Sequence, residues 1–220
     1  MNAGSTLIPA LQTFKYSFPE FPKYNKLMII PRILAFSGSL RSGSYNQRLA
    51  SIAANAAKDA GADVTLVSLR DYRMPIFDED LEAAEGMPDA ATQLKELFSE
   101  HNGLLIASPE YNSTITAALK NAIDWVSRTT APDEAPLAAL KGKTAAIMAA
   151  SPGGYGGARS LAQLRPFLEN IGITVLADQF TLPKAHEAFG DDGNLLDAAQ
   201  RDAVVKLADS LTKRISSGSC

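Results

Sequence analysis

The chain has 220 residues, of which 46% are hydrophobic and 20% are charged, a length and composition typical of one globular domain with a full core. The formal net charge is only -3 and there is no basic run, so we expect neither a nucleic acid nor a membrane surface as a partner. The single cysteine, Cys220, excludes an internal disulfide and a cysteine-ligated zinc or iron–sulfur site within one chain, and it indicates a cytoplasmic protein.

Residues 1–31 show no helical or alternating period. Their aromatic residues are interleaved with Pro19 and Pro22, and they lack the apolar stretch of a secretory signal. We expect an N-terminal extension that is either loosely ordered or packed on a neighbouring subunit. The domain itself is expected to span residues 32–216.

From Ile33 onward, short apolar segments alternate with helical patterns. The predicted strands are residues 33–36, 62–69, 103–107, 144–150 and 173–176. Helical patterns begin at Asn46, Ala90, Ile115, Leu161 and Val204, and residues 70–87 form a long connection. Pro166 is expected to bend the fourth helix or to start a new turn. This alternation predicts a three-layer α/β fold, whose ligands lie beyond the carboxyl ends of the parallel strands.

A first polar loop, residues 38–44, joins the first strand to the first helix. Such a turn directs backbone N–H groups and the positive end of a helix towards a phosphate. The loop lacks both the Gly-x-Gly-x-x-Gly of a dinucleotide site and the Lys-Ser/Thr of a triphosphate site. Its hydroxyl, amide and guanidinium groups suit a monophosphate, and they belong to Ser39, Ser42, Ser44, Asn46 and Arg41. The alternative is an ordinary turn in which Ser44 caps the helix.

A second loop, residues 108–113, follows the third strand. Pro109 restricts its backbone, Tyr111 can stack on a flat ring, and Asn112 offers a donor and an acceptor to ring edges. The alternative is a turn in which Asn112 or Ser113 caps the next helix.

A third loop, residues 151–157, has glycine at four of five consecutive positions. Ordered glycine costs roughly 0.5 to 1 kcal/mol relative to alanine, which indicates that side chains must be absent there so that backbone N–H groups can approach a planar ring. The alternative is a flexible surface loop. A monophosphate beside the first strand and a flat polar ring between the other two loops describe flavin mononucleotide (FMN).

Three segments together resemble the cofactor loops of the NADPH-dependent FMN reductases, a family of flavodoxin-like quinone, azo-dye and chromate reductases. They read GSLRSGSYNQRL, SPEYNSTITAALKNAIDW and SPGGYGGARSLAQLR, and the match runs from about residue 32 to residue 175. The resemblance implies a flavodoxin-like α/β/α fold with a five-stranded parallel sheet in the order 2-1-3-4-5. It also implies bound FMN, NADPH or NADH as co-substrate, a small-molecule electron acceptor, and a homodimer or homotetramer.

The resemblance assigns a role to each loop. The phosphate would be held by Ser39, Arg41, Ser44 and Asn46. The ring and ribityl chain would lie against Pro109, Glu110, Tyr111 and Asn112. The pyrimidine edge would face Ser151, Gly153, Gly154 and Tyr155.

We expect no catalytic side chain and no metal, because the flavin itself accepts and passes on hydride. Arg128 and Arg159 are candidates for attracting the extra phosphate of NADPH, and the alternative for both is a solvated arginine at a helix end. His101 and His186 are expected at the surface or at helix ends, without a role. Two other functions remain open: a flavodoxin-like electron shuttle, and a nonenzymatic sensor of a nucleotide or phosphate.

Overall fold

The structure, a computed structural model, describes Met1 and residues 30–218. Most of the predicted N-terminal extension lies outside the described residues. The strands are β1 Arg32–Ser37, β2 Asp63–Ser68, β3 Gly103–Ala107, β4 Thr144–Ala150, β5 Thr174–Val175 and β6 Phe180–Leu182. The helices are α1 Tyr45–Asp59, α2 Glu79–Glu85, α3 Asp89–Glu100, α4 Ala117–Val126, α5 Ala158–Asn170 and α6 Ala198–Ser216.

The strands form one parallel sheet in the order β2-β1-β3-β4-β5, which confirms the predicted α/β class and strand order. The edge of the sheet differs from the prediction of a single fifth strand at residues 173–176. β5 pairs with the start of β4 at Thr144 and Ala145, and β6 pairs with its end at Met148–Ala150. The outer strand is therefore interrupted, and the residues between its two parts leave the sheet.

Both faces of the sheet are covered by helices. In β1, Ile33 and Ala35 belong to the core shared with α1 and α6, whereas Leu34 and Phe36 belong to the core shared with α3, α4 and α5. The central strands β1, β3 and β4 contain continuous apolar runs because each face of the sheet needs its own set of buried side chains. The result is the expected three-layer sandwich.

Helix α2 departs from the predictions, and of the two outcomes expected at Pro166, a bend or a new turn, the new turn is not formed. Helix α2 lies inside the predicted connection of residues 70–87, with Asp78 as its N-cap. It buries no residue, so its sequence has no apolar periodicity that would predict a helix. Helix α5 runs continuously through Pro166 rather than starting again there. Pro166 and Ala162 are exposed, so water can hydrate the carbonyl that loses its helical partner.

His101 is at a helix end, as expected, but it is buried rather than at the surface. It is the C-cap of α3; its Nδ1 lies 2.6 Å from the Leu97 carbonyl and its Nε2 lies 2.8 Å from the Thr65 hydroxyl. It lies just before β3, at the amino ends of the strands, whereas the three polar loops follow the carboxyl ends. The His101 ring therefore links the end of α3 to β2, which is a structural role.

Candidate functional site

The three polar loops leave the sheet side by side at the carboxyl ends of β1, β3 and β4. The strands stay paired as the loops begin, because Gly38 N–H donates to the Ala107 carbonyl at 2.9 Å and Ser108 N–H donates to the Met148 carbonyl at 2.8 Å. An open cleft with a volume of about 100 Å³ lies where the loops meet. The three loops therefore converge on one cleft, as the sequence predicted.

Most of the predicted site residues line this cleft, namely Ser39, Arg41, Ser44, Asn46, Pro109, Glu110, Tyr111 and Ser151. The lining also contains Tyr45, Ala150 and Pro152, which the sequence analysis did not assign. Asn112, Gly153, Gly154 and Tyr155 are exposed and are not part of the lining.

Serine hydroxyls shape the first loop. Ser37 Oγ accepts from Ser39 N–H at 3.1 Å, Ser39 Oγ accepts from Arg41 N–H at 3.2 Å, and Ser44 Oγ accepts from Gln47 N–H at 3.3 Å as the N-cap of α1. Because Ser39 and Ser44 use their oxygens as acceptors, each keeps an O–H to donate. Both side chains are buried in the cleft wall, so capping by Ser44 and anion binding are compatible.

Arg41 supplies the positive charge of the first loop. Its guanidinium donates to the Gly43 carbonyl at 2.6 Å and lies 4.9 Å from the centre of the Tyr45 ring. These contacts hold an otherwise exposed side chain beside the N-terminus of α1, where the helix dipole also favours an anion.

Asn46 joins the first helix to the start of the third loop. Its side-chain amide donates to the Ala150 carbonyl and accepts from the Ala150 N–H, both at 2.8 Å. One amide proton remains free for a ligand. Asn46 therefore has a structural role that the sequence analysis did not predict, in addition to its place in the cleft wall.

The second loop ends in a tight turn. Tyr111 and Thr114 exchange two backbone hydrogen bonds of 3.0 and 3.1 Å, and Asn112 and Ser113 both have positive φ angles, of 51° and 67°. This is the pattern of a type I′ turn, in which asparagine is favoured. Asn112 is thus at an exposed turn tip, away from the cleft lining.

The alternative in which Asn112 or Ser113 caps the next helix is wrong, because Thr116 is the cap of α4. Its hydroxyl accepts from Leu119 N–H at 3.1 Å and donates to the Gly38 carbonyl at 2.6 Å, so it also fixes the first loop. A threonine three residues before the buried Leu119 was the available signal.

The glycines of the third loop are of two kinds. A Cβ on Gly156 would lie 2.7 Å from the backbone nitrogen of Pro183, and one on Gly157 would lie 2.5 Å from the Ala149 Cβ; both residues also have positive φ. Packing therefore explains these two. A Cβ on Gly153 would meet only the Ser151 hydroxyl, at 3.6 Å, and one on Gly154 would meet nothing. The fold does not require glycine at these two exposed positions.

The third loop is held by the segment that follows β6. Ser151 N–H donates to the Leu182 carbonyl at 3.1 Å, Ala185 N–H donates to the Ser151 carbonyl at 3.0 Å, and Lys184 N–H donates to the Gly153 carbonyl at 3.4 Å. The sequence analysis missed this support because it missed β6. These hydrogen bonds tie Ser151 and Gly153 of the loop to the segment that follows β6.

Glu110 connects the second loop to α5. Its carboxylate accepts from the backbone N–H of Arg159 at 3.1 Å and from Nε of the same residue at 2.7 Å, while the Arg159 guanidinium lies 4.9 Å from the centre of the Tyr155 ring. The N-cap residue of α5 is Gly157, which has no side chain that could accept a hydrogen bond from the first turn. The Glu110 carboxylate takes this role instead. The acidic group in the cleft wall is neutralised by this pairing.

Both arginines proposed for the extra phosphate of NADPH are paired with carboxylates. Arg159 pairs with Glu110, and Arg128 donates through Nε to both oxygens of Glu82 at 2.9 Å. The hydrogen bond to Glu82 raises the pKa of Arg128. Arg128 follows the C-terminus of α4, about 15 Å along that helix from the second loop at 1.5 Å per residue. Neither is a free cation at the cleft.

Within the described residues, no group of three or more His, Cys, Asp or Glu side chains is arranged to hold a metal ion. In the same part of the chain, no helix is both long enough and apolar enough to cross a membrane.

The fold is that of a flavodoxin-like protein, with a cleft at the carboxyl edge of its parallel sheet. The family model of the NADPH-dependent FMN reductases matches residues 31–187. The chain belongs to this family.

Two relatives and one solved structure illustrate the similarity. An NAD(P)H-dependent FMN reductase of Pseudomonas aeruginosa is 37% identical over 174 residues, which cover 79% of this chain and 89% of that protein. The quinone reductase of Escherichia coli K12 is 38% identical over 145 residues, covering 66% of this chain and 73% of that protein. The flavoenzyme NAD(P)H:(acceptor) oxidoreductase FerB of Paracoccus denitrificans has a TM-score of 0.70 and 26% identity, covering 84% of this chain and 96% of that one.

Proposed function

We propose that the protein is an FMN-dependent oxidoreductase that takes hydride from NADPH or NADH and delivers it to a small-molecule acceptor. The observation that carries this proposal is the convergence of three loops on one cleft, with anion donors in the first loop and sterically open glycines in the third. Membership of the NADPH-dependent FMN reductase family supports the same function.

The donors of the first loop fit the phosphate of FMN. The hydroxyls of Ser39 and Ser44 each keep a proton to donate, one amide proton of Asn46 is free, and Arg41 adds a positive charge beside the start of α1. Neutral donors with one guanidinium suit a single phosphate better than a triphosphate. These residues would hold the phosphate end of the cofactor.

The other two loops fit a flat ring. The cleft volume of about 100 Å³ suits the phosphate and part of the ribityl chain, so the ring would lie across the open side of the cleft. That side has the half-exposed Tyr111 ring and, on the third loop, Gly153, Gly154 and Tyr155. The open space above both glycines lets their backbone N–H groups approach the ring edge.

The bound flavin supplies the hydride chemistry, and the chain supplies position and electrostatics. The Glu110–Arg159 pair fixes the distance between the second loop and α5, and it removes a net negative charge from the cleft wall. No side chain needs to act as an acid or base. We accordingly assign no catalytic residue.

Quinones, azo compounds and free flavin are the proposed acceptors. The Escherichia coli relative is a quinone reductase and the Pseudomonas aeruginosa relative is an FMN reductase, which supports quinones and free flavin as acceptors. We also propose a homodimer or homotetramer and a cytoplasmic location, the latter supported by the presence of only one cysteine.

Anaerobic reduction of the purified protein tests the proposal. The reductase function predicts a yellow protein whose flavin absorbance bleaches rapidly on mixing with NADPH or NADH and returns when a quinone is added. Slow bleaching by both nucleotides, with fast reduction by a partner redox protein, would identify an electron shuttle. A colourless protein that takes up no FMN would identify a sensor without flavin, and either result would overturn the proposal.

A further inference from the structure

A second cavity, of about 340 Å³, lies next to the cleft between the segment after β2 and the first turns of α4. Its apolar lining comes from Leu40, Leu69, Met74, Ala118 and Ala122. The polar groups of its lining include Arg70, Tyr72 and Arg73. A cavity of this size with an apolar floor suits a flat aromatic ligand.

The wall of this cavity is fixed by side chains of α4. Asn121 accepts from the Phe77 N–H at 2.8 Å and donates to the Pro75 carbonyl at 2.9 Å, and Trp125 Nε1 also donates to that carbonyl at 2.9 Å. Phe77 packs edge-on against Trp125, with ring centres 5.0 Å apart. These contacts hold the segment that follows β2 against α4.

The rim of the cavity carries two arginines beside Tyr72, a phenol whose pKa is raised mainly by burial and further by the nearby charge of Asp71. Arg70 and Arg73 are exposed, and neither forms an ion pair with a carboxylate of the described residues, although Asp71 lies between them in the chain. By contrast, Arg128 and Arg159 are committed to Glu82 and Glu110. Two free guanidinium groups beside an apolar pocket suit an anion carried on an apolar ring.

The cavity and the cleft share the first loop as a common wall. Leu40, which lines the cavity, lies between Ser39 and Arg41, which line the cleft. On the other side, Ala118 of the cavity is in the helix that follows the second loop. A molecule with one end at the cleft can thus extend into the cavity.

We propose that this cavity binds the adenosine half of NADPH, with its 2′-phosphate at Arg70 and Arg73 and its adenine beside Tyr72. This inference rests on the proposed reductase function and adds to it a preference for NADPH over NADH. NADH has a hydroxyl in place of the 2′-phosphate, so it cannot use the two arginines as an anion partner.

The test compares 2′,5′-ADP with 5′-AMP as calorimetric probes of the FMN-loaded protein. We expect 2′,5′-ADP to bind at least about tenfold more tightly, and we expect the double variant R70A/R73A to lose that difference. The variant should also raise the KM for NADPH about tenfold or more while leaving FMN content, kcat and the KM for NADH unchanged. R214A is the matched control, because Arg214 is also exposed but lies on α6, which packs on the opposite face of the sheet. It should behave like the wild type.

Equal affinity of the wild type for the two probes, or an unchanged difference in R70A/R73A, would overturn the inference. Inorganic phosphate that competes as well as 2′,5′-ADP would also overturn it, because the site would then recognise phosphate alone. Failure of the reductase function has a different signature: neither nucleotide would be oxidised. Probe titration of the same protein would still report on the cavity.

Discussion

The carboxylate of Glu110 completes helix α5 by accepting both the backbone N–H of Arg159 at 3.1 Å and its Nε at 2.7 Å. One residue of the second loop thereby caps the helix that follows the third loop. The side chain of Glu110 is only 8% exposed, so its charge would be strongly felt nearby if the arginine were removed. The two loops that would flank a flavin ring are therefore coupled by one charged pair.

We expect Arg159→Ala to lower the reduction potential of the bound flavin by roughly 20 to 50 mV, because an unpaired carboxylate disfavours adding electrons nearby. FMN content should change little. The potential can be measured by equilibration with a reference dye. R165A is the control, because Arg165 also pairs with a carboxylate of α5, Glu169, but farther along the helix. Equal potentials in R159A and the wild type would show that Glu110 does not act on the flavin.

Arg41 provides the second prediction. Its side chain is exposed and its hydrogen bond goes to the Gly43 carbonyl, so Arg41→Ala should leave the fold intact. Loss of one charge-assisted phosphate bond, worth about 1.5 to 3 kcal/mol, should weaken FMN binding roughly 10- to 100-fold. Fluorescence titration of the apoprotein with FMN measures this. R48A, which removes another arginine of the same region that does not line the cleft, should bind FMN normally. Unchanged affinity in R41A would exclude Arg41 from the phosphate site.

The parts of the fold that the sequence predicted well are those with a strong apolar signal. β3 and β4 match their predicted bounds because every residue in them is buried between two helical layers. Helix α2 and β6 were missed because one buries nothing and the other has only three residues. Short or fully solvated elements leave too little periodicity to detect.

The same distinction applies to the site. The residue types in the three loops predicted where the cleft lies. They did not show which of their polar groups form hydrogen bonds within the protein. The side-chain amide of Asn46 forms two hydrogen bonds with the backbone of Ala150. The hydroxyl of Thr116 donates to the carbonyl of Gly38, which is 78 positions away in the sequence. Such long-range hydrogen bonds leave no local pattern. They emerge only when the strands and loops are assembled.

Gly153 provides a test that separates ligand binding from folding. Gly153→Val should keep the wild-type melting temperature, because a Cβ there meets only the Ser151 hydroxyl at 3.6 Å and the residue does not have a positive φ. Flavin content after purification should fall, because the side chain occupies the space above the third loop.

Gly156→Ala is the contrasting variant. Its Cβ would lie 2.7 Å from the Pro183 nitrogen at a φ of +60°, so we expect a loss of about 1 to 3 kcal/mol in the free energy of unfolding. Calorimetry and the ratio of flavin to protein absorbance measure the two effects. Normal flavin occupancy in G153V would count against contact between the third loop and the cofactor.

The last prediction concerns stability away from the site, where Lys95 of α3 pairs with Glu134 at 2.6 Å. Lys95 Nζ also donates to the Arg128 carbonyl, and Thr130 N–H donates to Glu134, so the pair holds the segment after α4. The hydrogen bond from Lys95, followed by that from Thr130, lowers the pKa of Glu134 from 4.5 to about 2. Folding therefore favours the carboxylate, whose stabilising effect is complete above pH 4.5 and is lost as the pH falls towards 2.

We expect Glu134→Gln to lower the free energy of unfolding by about 1 to 3 kcal/mol at neutral pH, because Lys95 loses its carboxylate partner while largely buried. Urea titrations between pH 7 and pH 2 should show the gap from the wild type closing as the pH drops below 4.5. D209N, which removes an exposed helical pair with Lys213, should cost less than about 0.5 kcal/mol. A gap of constant size across the whole pH range would mean that the charge of Glu134 contributes nothing to holding this segment.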